Sequence, residues 1–230
     1  PRKTARQAGR SAATPLIRTI PARRMPDSIP LFPLNTVLFP GGRLSLRIFE
    51  ARYVDMVRRC MRESTGFGVV LIREGVEAGG PAQTFAVGTL ARIIDFDQLD
   101  QGLLGITAVG ERRFHVVGRE VRKDGLNTGT VEWLTDRDAS APLPDFTPYA
   151  HLLEHLLPEL GDLYAGVAPQ LDDAAWVVGR LLEILPLPLA DKQLCLEMDD
   201  PARRLALLRS IVKITARPAD SGEPGPASLS

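Results

Sequence analysis

The segment Arg43-Leu-Ser-Leu-Arg-Ile-Phe-Glu-Ala-Arg-Tyr-Val-Asp-Met-Val-Arg-Arg-Cys-Met61 changes period halfway along its length. Leu44, Leu46 and Ile48 alternate with polar residues, the signature of a strand with one face buried. Tyr53, Met56, Val57, Cys60 and Met61 then recur at i, i+3, i+4, i+7 and i+8, which predicts a helix over about Glu50–Glu63 with one apolar stripe. Gly66 reads as its terminator.

Toward the N-terminus, Pro40-Gly41-Gly42 marks a turn. Ile29-Pro-Leu-Phe-Pro-Leu34 is apolar, but its two prolines lack N–H donors and predict an edge strand or a strand end. Downstream, strands are predicted at Phe67–Ile72, Val87–Phe96, Leu103–Val109, Arg113–Val121 and Thr128–Leu134. Asp97–Gly102 reads as a hairpin loop, and Lys123-Asp124-Gly125 as a tight turn. Short strands joined by turns suggest a small curled sheet or barrel.

After a Pro-rich linker over 135–147 every signal is helical. Thr147-Pro148 predicts a cap followed by proline at the first helical position, with Leu152, Leu153, Leu156, Leu157 and Leu160 as an apolar face that Pro158 interrupts. Asp172 and Asp173 open a second helix carrying Trp176, Val177, Leu181, Ile184 and Leu185, which Pro186 and Pro188 stop; a third begins near Ala190, and Asp200-Pro201 opens a fourth. Strands followed by helices argue for an α+β chain: a β-rich lobe over 28–134 with one helix, and a helical-bundle lobe over 148–216. Residues 1–27, with seven basic residues before the first acid at Asp27, read as a disordered basic arm, and 217–230 as a loose tail.

Composition narrows the function. Lys plus Arg equals Asp plus Glu, 28 of each, so no basic surplus points to nucleic acid. Cys60 and Cys195 form no metal or redox pair and read as buried, reduced thiols of a cytoplasmic protein. No apolar run approaches the ~18 residues of a membrane-spanning helix, and no signal-peptide core is visible. Neither phosphate-loop nor dinucleotide-loop motifs occur, so no ATP and no cofactor are expected.

One catalytic pattern does match. His151-Leu-Leu-Glu154-His155 fits His-x-x-Glu-His, which places two imidazoles on one helical face and needs a third ligand, with Glu183 or Glu197 as candidates. These residues lie opposite the leucine stripe, so a solvated polar face is the simpler reading, and no metal site is assigned. His115, inside an apolar strand, reads as structural. Ser45, Ser64 and Ser210 lack a motif partner, and Lys192 and Lys213 fall on surface-facing positions, so no catalytic residue is assigned. Phe32, Phe39, Phe49, Tyr53 and Phe67 are most simply core.

Several motifs in order resemble the Lon N-terminal, substrate-binding domain: Pro30-Leu-Phe-Pro-Leu-Asn35 with Phe39-Pro40-Gly41, Phe49-Glu50-x-Arg52-Tyr53, Val87-Gly88-Thr89-x-Ala91-Arg92-Ile93, and Gly110-x-Arg112-Arg113-Phe114. Leu185-Pro-Leu, Lys192-Gln193, Leu196-Glu197 and Arg203-Arg204-Leu205 continue the resemblance through the helices, so that it covers about Ile29–Ala216. It implies a PUA-like barrel lobe followed by a helical bundle. It also implies a domain that in Lon recognises unfolded or tagged substrates, ahead of an AAA+ module and a Ser-Lys protease. The sequence ends where those modules would begin, so the expectation is a free-standing, non-catalytic binding module for unfolded or extended polypeptide. A strand-addition edge near Ile29 or an apolar cleft between the lobes would supply the physical route. Phe96, Leu99 and Leu103, on and beside the hairpin loop, are the expected exposed contacts. The alternatives are a scaffold for one folded protein partner and, more remotely, a zinc hydrolase using His151, Glu154 and His155. RNA contact, common among PUA-like barrels, is disfavoured by the neutral charge.

Overall fold

A computed structural model describes residues 28–77, 82–99, 103–135, 144–164 and 167–213. The expected arm over 1–27, the tail over 217–230, most of the linker and the tip of the hairpin loop, residues 100–102, lie outside them.

Six strands precede four of the five α-helices. They are β1 (Ser28–Leu34), β2 (Arg43–Ile48), β3 (Phe67–Glu74), β4 (Gln83–Gln98), β5 (Leu104–Val121) and β6 (Asn127–Trp133), with α1 (Ala51–Glu63) between β2 and β3. The strand order is β2-β5-β4-β3-β1-β6, and β6 also pairs with β5. Strands β1, β3, β4, β5 and β6 therefore close into a barrel, and β2 is an extra strand hung on β5. The segments expected as two strands, Leu103–Val109 and Arg113–Val121, are one: β5 pairs β2 through its first half and β6 through its second.

The proline-bearing β1 is not an edge strand. It pairs antiparallel with β6 at Ser28–Pro30 and parallel with β3 at Leu31–Leu34. The two pairings do not overlap, so each half has a flank without a strand, and such a flank tolerates a residue that cannot donate. The expected strand-addition route near Ile29 is thereby taken by β6.

The predicted helix stands as α1, burying Tyr53, Met56, Val57 and Cys60. Its end differs from expectation. Ser64, not Gly66, adopts the left-handed conformation (φ 50°) and caps the carbonyls of Cys60 and Met61. Gly66 is small for another reason: a Cβ there would sit 2.6 Å from the Ala91 carbonyl oxygen.

The helical half comprises α2 (Thr147–Leu156), a 3-10 helix (Leu157–Tyr164) that replaces α2 at Pro158, α3 (Ala174–Ile184), α4 (Leu189–Glu197) and α5 (Pro201–Ile211). Thr147 is already helical and Phe146 is the cap, one residue earlier than expected. The predicted caps Asp173 and Asp200 accept from backbone N–H groups of the first turns of α3 and α5. These helices share one apolar cluster with Val37, Phe39, Leu71 and Val87 of the β half; α1 packs in a second with residues of β1–β5, and a third, Ile29, Leu31, Val70, Leu90, Phe114, Val116 and Val131, draws on all five barrel strands.

Cys60 and Cys195 are both buried. Burial pushes the Cys195 thiol up to about 11, with Arg204 opposing. The sign follows directly: the folded state disfavours thiolate, so its contribution is intact below the unfolded thiol value of about 8.5 and is lost as pH rises toward 11. A denaturation series between pH 8 and 11 should show falling stability that Cys195→Ala flattens. An unchanged slope in that variant would assign the loss elsewhere.

Candidate functional site

The expected contacts at the hairpin end fall on two sides of the sheet. The ladder runs Asp95↔Thr107, Phe96↔Ile106, Asp97↔Gly105 and Gln98↔Leu104, and the Leu99 N–H donates to the Leu103 carbonyl at 2.9 Å. Phe96 shares the face of buried Ile106 yet is 58% exposed, because the hairpin runs past the end of the core. With Leu103 and Leu104 it forms one wall of an open hollow of about 450 Å³, whose other wall is Val54, Val57, Arg58 and Met61 of α1. Leu99 lies on the opposite face, packed over Gly105. It borders a second hollow of about 290 Å³ with Ser45, Arg47, Asp95 and Asp97. The structure thus brings Phe96 and Leu103 together in one hollow and turns Leu99 to the other, which Phe96 also borders. Sequence reasoning missed Met61, which looked like an ordinary member of the apolar stripe, and Val54, which lies beside that stripe. Phe49, expected in the core, is 66% exposed at the end of β2. It is the residue at which the chain leaves the strand period and has not yet entered the helical one.

The His-x-x-Glu-His residues do not assemble a metal centre. His151, Glu154 and His155 are exposed, and His155 Nδ1 donates to the His151 carbonyl at 2.7 Å. Both candidate third ligands are engaged elsewhere: Glu183 with Arg180, and Glu197 with the Gln193 side-chain amide at 2.8 Å. Among the described residues no group of three or more His, Cys, Asp or Glu side chains could hold a metal. Ser45, Ser64 and Ser210 are exposed, and Lys192 Nζ, half-buried, donates to the Glu183 carbonyl at 2.8 Å. His115 is half-buried in the middle of β5, in register with Val87 and Glu132.

The polar chemistry that is buried joins the two halves of the chain. Arg180 Nε donates to Glu183 Oε2 at 2.8 Å, with side-chain exposures of 0% and 14%. The other carboxylate oxygen accepts the Phe39 N–H at 2.7 Å, while Arg180 Nη2 reaches the Pro40 carbonyl at 3.2 Å. Burial pushes the Glu183 carboxyl up, against the pull of Arg180, the Phe39 amide and Tyr164. Gly41 (φ 78°) and Gly42 let the β1–β2 loop lie on this pair: a Cβ at Gly42 would fall 2.1 Å from Glu183 Oε1. Arg113 adds a second link, donating to the carbonyls of Leu196 (2.6 Å) and Met198 (2.8 Å), and Gln193 a third, donating to the Val87 carbonyl at 3.1 Å. These contacts hold the halves together, and none of them involves the hairpin end.

No helix among the described residues is long and apolar enough to cross a membrane. Residues 28–213 match the family model of the ATP-dependent protease La (Lon) substrate-binding domain. A solved Lon N-terminal domain protein from Xanthomonas campestris is 42% identical, with a TM-score of 0.64 over 80% of this chain and 97% of that one. The N-terminal domain of the Mycobacterium avium complex Lon protease, 17% identical with a TM-score of 0.58 over 80% of this chain and 96% of that one, shares the fold. Lon protease 2 of Myxococcus xanthus is 26% identical over 200 residues, 82% of this chain but 24% of the protease. Protein cereblon of Xenopus tropicalis is 26% identical over 121 residues, 51% of this chain and 26% of that protein. The chain spans about a quarter of the length of the Lon proteases it matches, 24% in the Myxococcus case. With all of the described strands and helices inside the matched range, the chain belongs to the Lon substrate-binding domain family.

Proposed function

We propose that this domain holds segments of non-native polypeptide, without chemistry of its own, in the hollow between α1 and the β4–β5 hairpin. The observation that carries the reading is Phe96: a large apolar ring 58% exposed beside an open, mainly apolar hollow, in a family whose domain is described as substrate-binding. Val54, Met61, Leu103 and Leu104 supply apolar walls, and Arg58 a charged rim. Such a surface suits short apolar stretches of an unfolded chain, which native proteins keep inside.

Fluorescence anisotropy with reduced, carboxymethylated lactalbumin, a permanently unfolded protein, tests this. The wild-type domain should bind it and ignore native lactalbumin. Phe96→Ala should weaken binding about tenfold or more, since a buried aromatic side chain contributes roughly 1.5–3 kcal/mol. Its melting temperature should not move. Absence of binding at tens of micromolar sinks the reading. A second reading has one folded protein partner occupying the same exposed apolar surface. A single stoichiometric complex, insensitive to competition by the unfolded lactalbumin, would select it.

A further inference from the structure

Among the described residues β2 has a strand neighbour on one side only, and on the other the 3-10 helix touches its start, where Arg43 Nη1 donates to the Leu163 carbonyl at 3.3 Å. Strand β2 pairs with β5 from Arg43↔Val109 to Ile48↔Leu104, and no other described strand pairs with it. Which backbone groups face outward follows from two hydrogen bonds. Gly110 N–H donates to the Gly42 carbonyl at 2.8 Å, so residue 42 faces β5. Arg43 N–H donates instead to the Tyr164 hydroxyl at 3.3 Å, so residue 43 faces away. Antiparallel pairing alternates with a period of two. Ser45 and Arg47 therefore also turn their N–H and C=O groups toward the open side, and both residues are exposed.

That open side is furnished. A hollow of about 230 Å³ runs beside it, with Leu46, Ile48 and exposed Phe49 on the β2 side and Phe32 and Leu34 of β1 opposite. The remaining carboxylates lining it already have partners: Glu50 pairs with Arg52 at 2.8 Å, and Glu77 accepts the Asn35 N–H. On the other face of β2 stand the side chains of Arg43, Ser45 and Arg47.

We infer that the free edge of β2 accepts an extended segment of polypeptide as an added strand, with apolar side chains toward the Leu46–Ile48 hollow and acidic ones toward Arg43 and Arg47. The inference rests on the polypeptide-binding reading and gives it a main-chain component that is independent of Phe96. Strand addition takes affinity from backbone hydrogen bonds and specificity from alternate side chains, which fits a ligand defined by being unfolded rather than by one sequence. Charge decides between occupants. A second copy pairing edge to edge would set the arginines of one β2 against those of the other, and like charges directly opposite destabilise. An acidic residue in an added strand lies one strand spacing, roughly 4.8 Å, from these arginines. Asp95 and Asp97 on β4 lie two spacings, roughly 10 Å, from these arginines and three, roughly 14 Å, from the added strand, the latter beyond a Debye length of about 8 Å. The arginines that guard the edge against self-pairing are thus the ones that admit an acidic partner.

Amide exchange of the ¹⁵N-labelled domain tests this with a ten-residue peptide of alternating valine and glutamate and its valine–lysine counterpart. The glutamate peptide should slow exchange at Ser45 and Arg47 at least tenfold, leave Leu44 and Leu46 unchanged, and bind at least tenfold more tightly than the lysine peptide. Ser45→Pro removes an N–H that faces away from β5, so it should retain the fold and bind both the glutamate peptide and carboxymethylated lactalbumin at least tenfold more weakly. Unprotected Ser45 and Arg47 amides at saturating peptide, or preference for the lysine peptide, overturn the inference. If Ser45→Pro binds lactalbumin like wild type, the edge is refuted while the polypeptide-binding reading stands. If wild type binds no lactalbumin, that reading falls, and protection by the peptide still decides the edge.

Discussion

Glu183→Ala is expected to lower the unfolding free energy by roughly 3–5 kcal/mol, the usual cost of removing one partner from a buried ion pair. The deletion leaves Arg180, with 0% side-chain exposure, as an uncompensated buried cation. It also removes the acceptor of the Phe39 N–H and of the Tyr164 hydroxyl. For a chain of this length, that loss lowers the melting temperature by roughly 6–20 °C. Glu183→Gln keeps an acceptor for Phe39 and should cost less. The double variant Arg180→Met with Glu183→Leu should recover much of the loss, because the strandedness of the charge and not the absence of the pair is the larger cost. Urea denaturation of the three variants checks this; a loss under about 1 kcal/mol for Glu183→Ala would mean the pair does not hold the β1–β2 loop on α3.

Phe114→Ala should be about as damaging, roughly 3–5 kcal/mol. The ring is fully buried, stands edge-on to Trp133 at 6.2 Å, and fills space that two glycines leave open. A Cβ at Gly68 would lie 2.6 Å from Phe114 Cζ, and one at Gly88 would lie 2.8 Å from it. Gly68→Ala should therefore destabilise the wild type strongly and do less harm once Phe114 is leucine. The two changes should be sub-additive by more than about 0.5 kcal/mol in urea denaturation. Strict additivity would show that the ring and the glycines are not one packing unit.

Much of this was legible in the chain itself, for local reasons. The period switch between Ile48 and Tyr53 located β2 and α1, and Asp173 and Asp200 located two helix starts, because each depends on neighbours a few residues away. What depends on residues far along the chain was misread. The prolines of β1 argue for an edge until the non-overlapping flanks offered by β3 and β6 are known. Glu183 looked like a spare carboxylate for a metal because its partners include Phe39, 144 positions away. Phe49 looked like core because an aromatic residue between two amphipathic segments usually is. At the site, Phe96 and Leu103 were readable as apolar residues flanking a loop. The turning of Leu99 to the other face was not, since it follows from the strand register and from Gly105 having no side chain.

The closure of the barrel also sets a clock. Strand β1 is the first element in the described chain, yet Ser28 finds its antiparallel partner only at Thr130, about 100 residues later. Leu31–Leu34 meets β3 sooner, but at about 5–20 residues per second the Ser28–Pro30 half leaves the ribosome roughly 5–20 s before β6 exists. Pro30 lies in the half that waits for β6. In that interval it interrupts the donor row of the half-strand still without a partner, which makes that half a poor template for another nascent chain until β6 arrives.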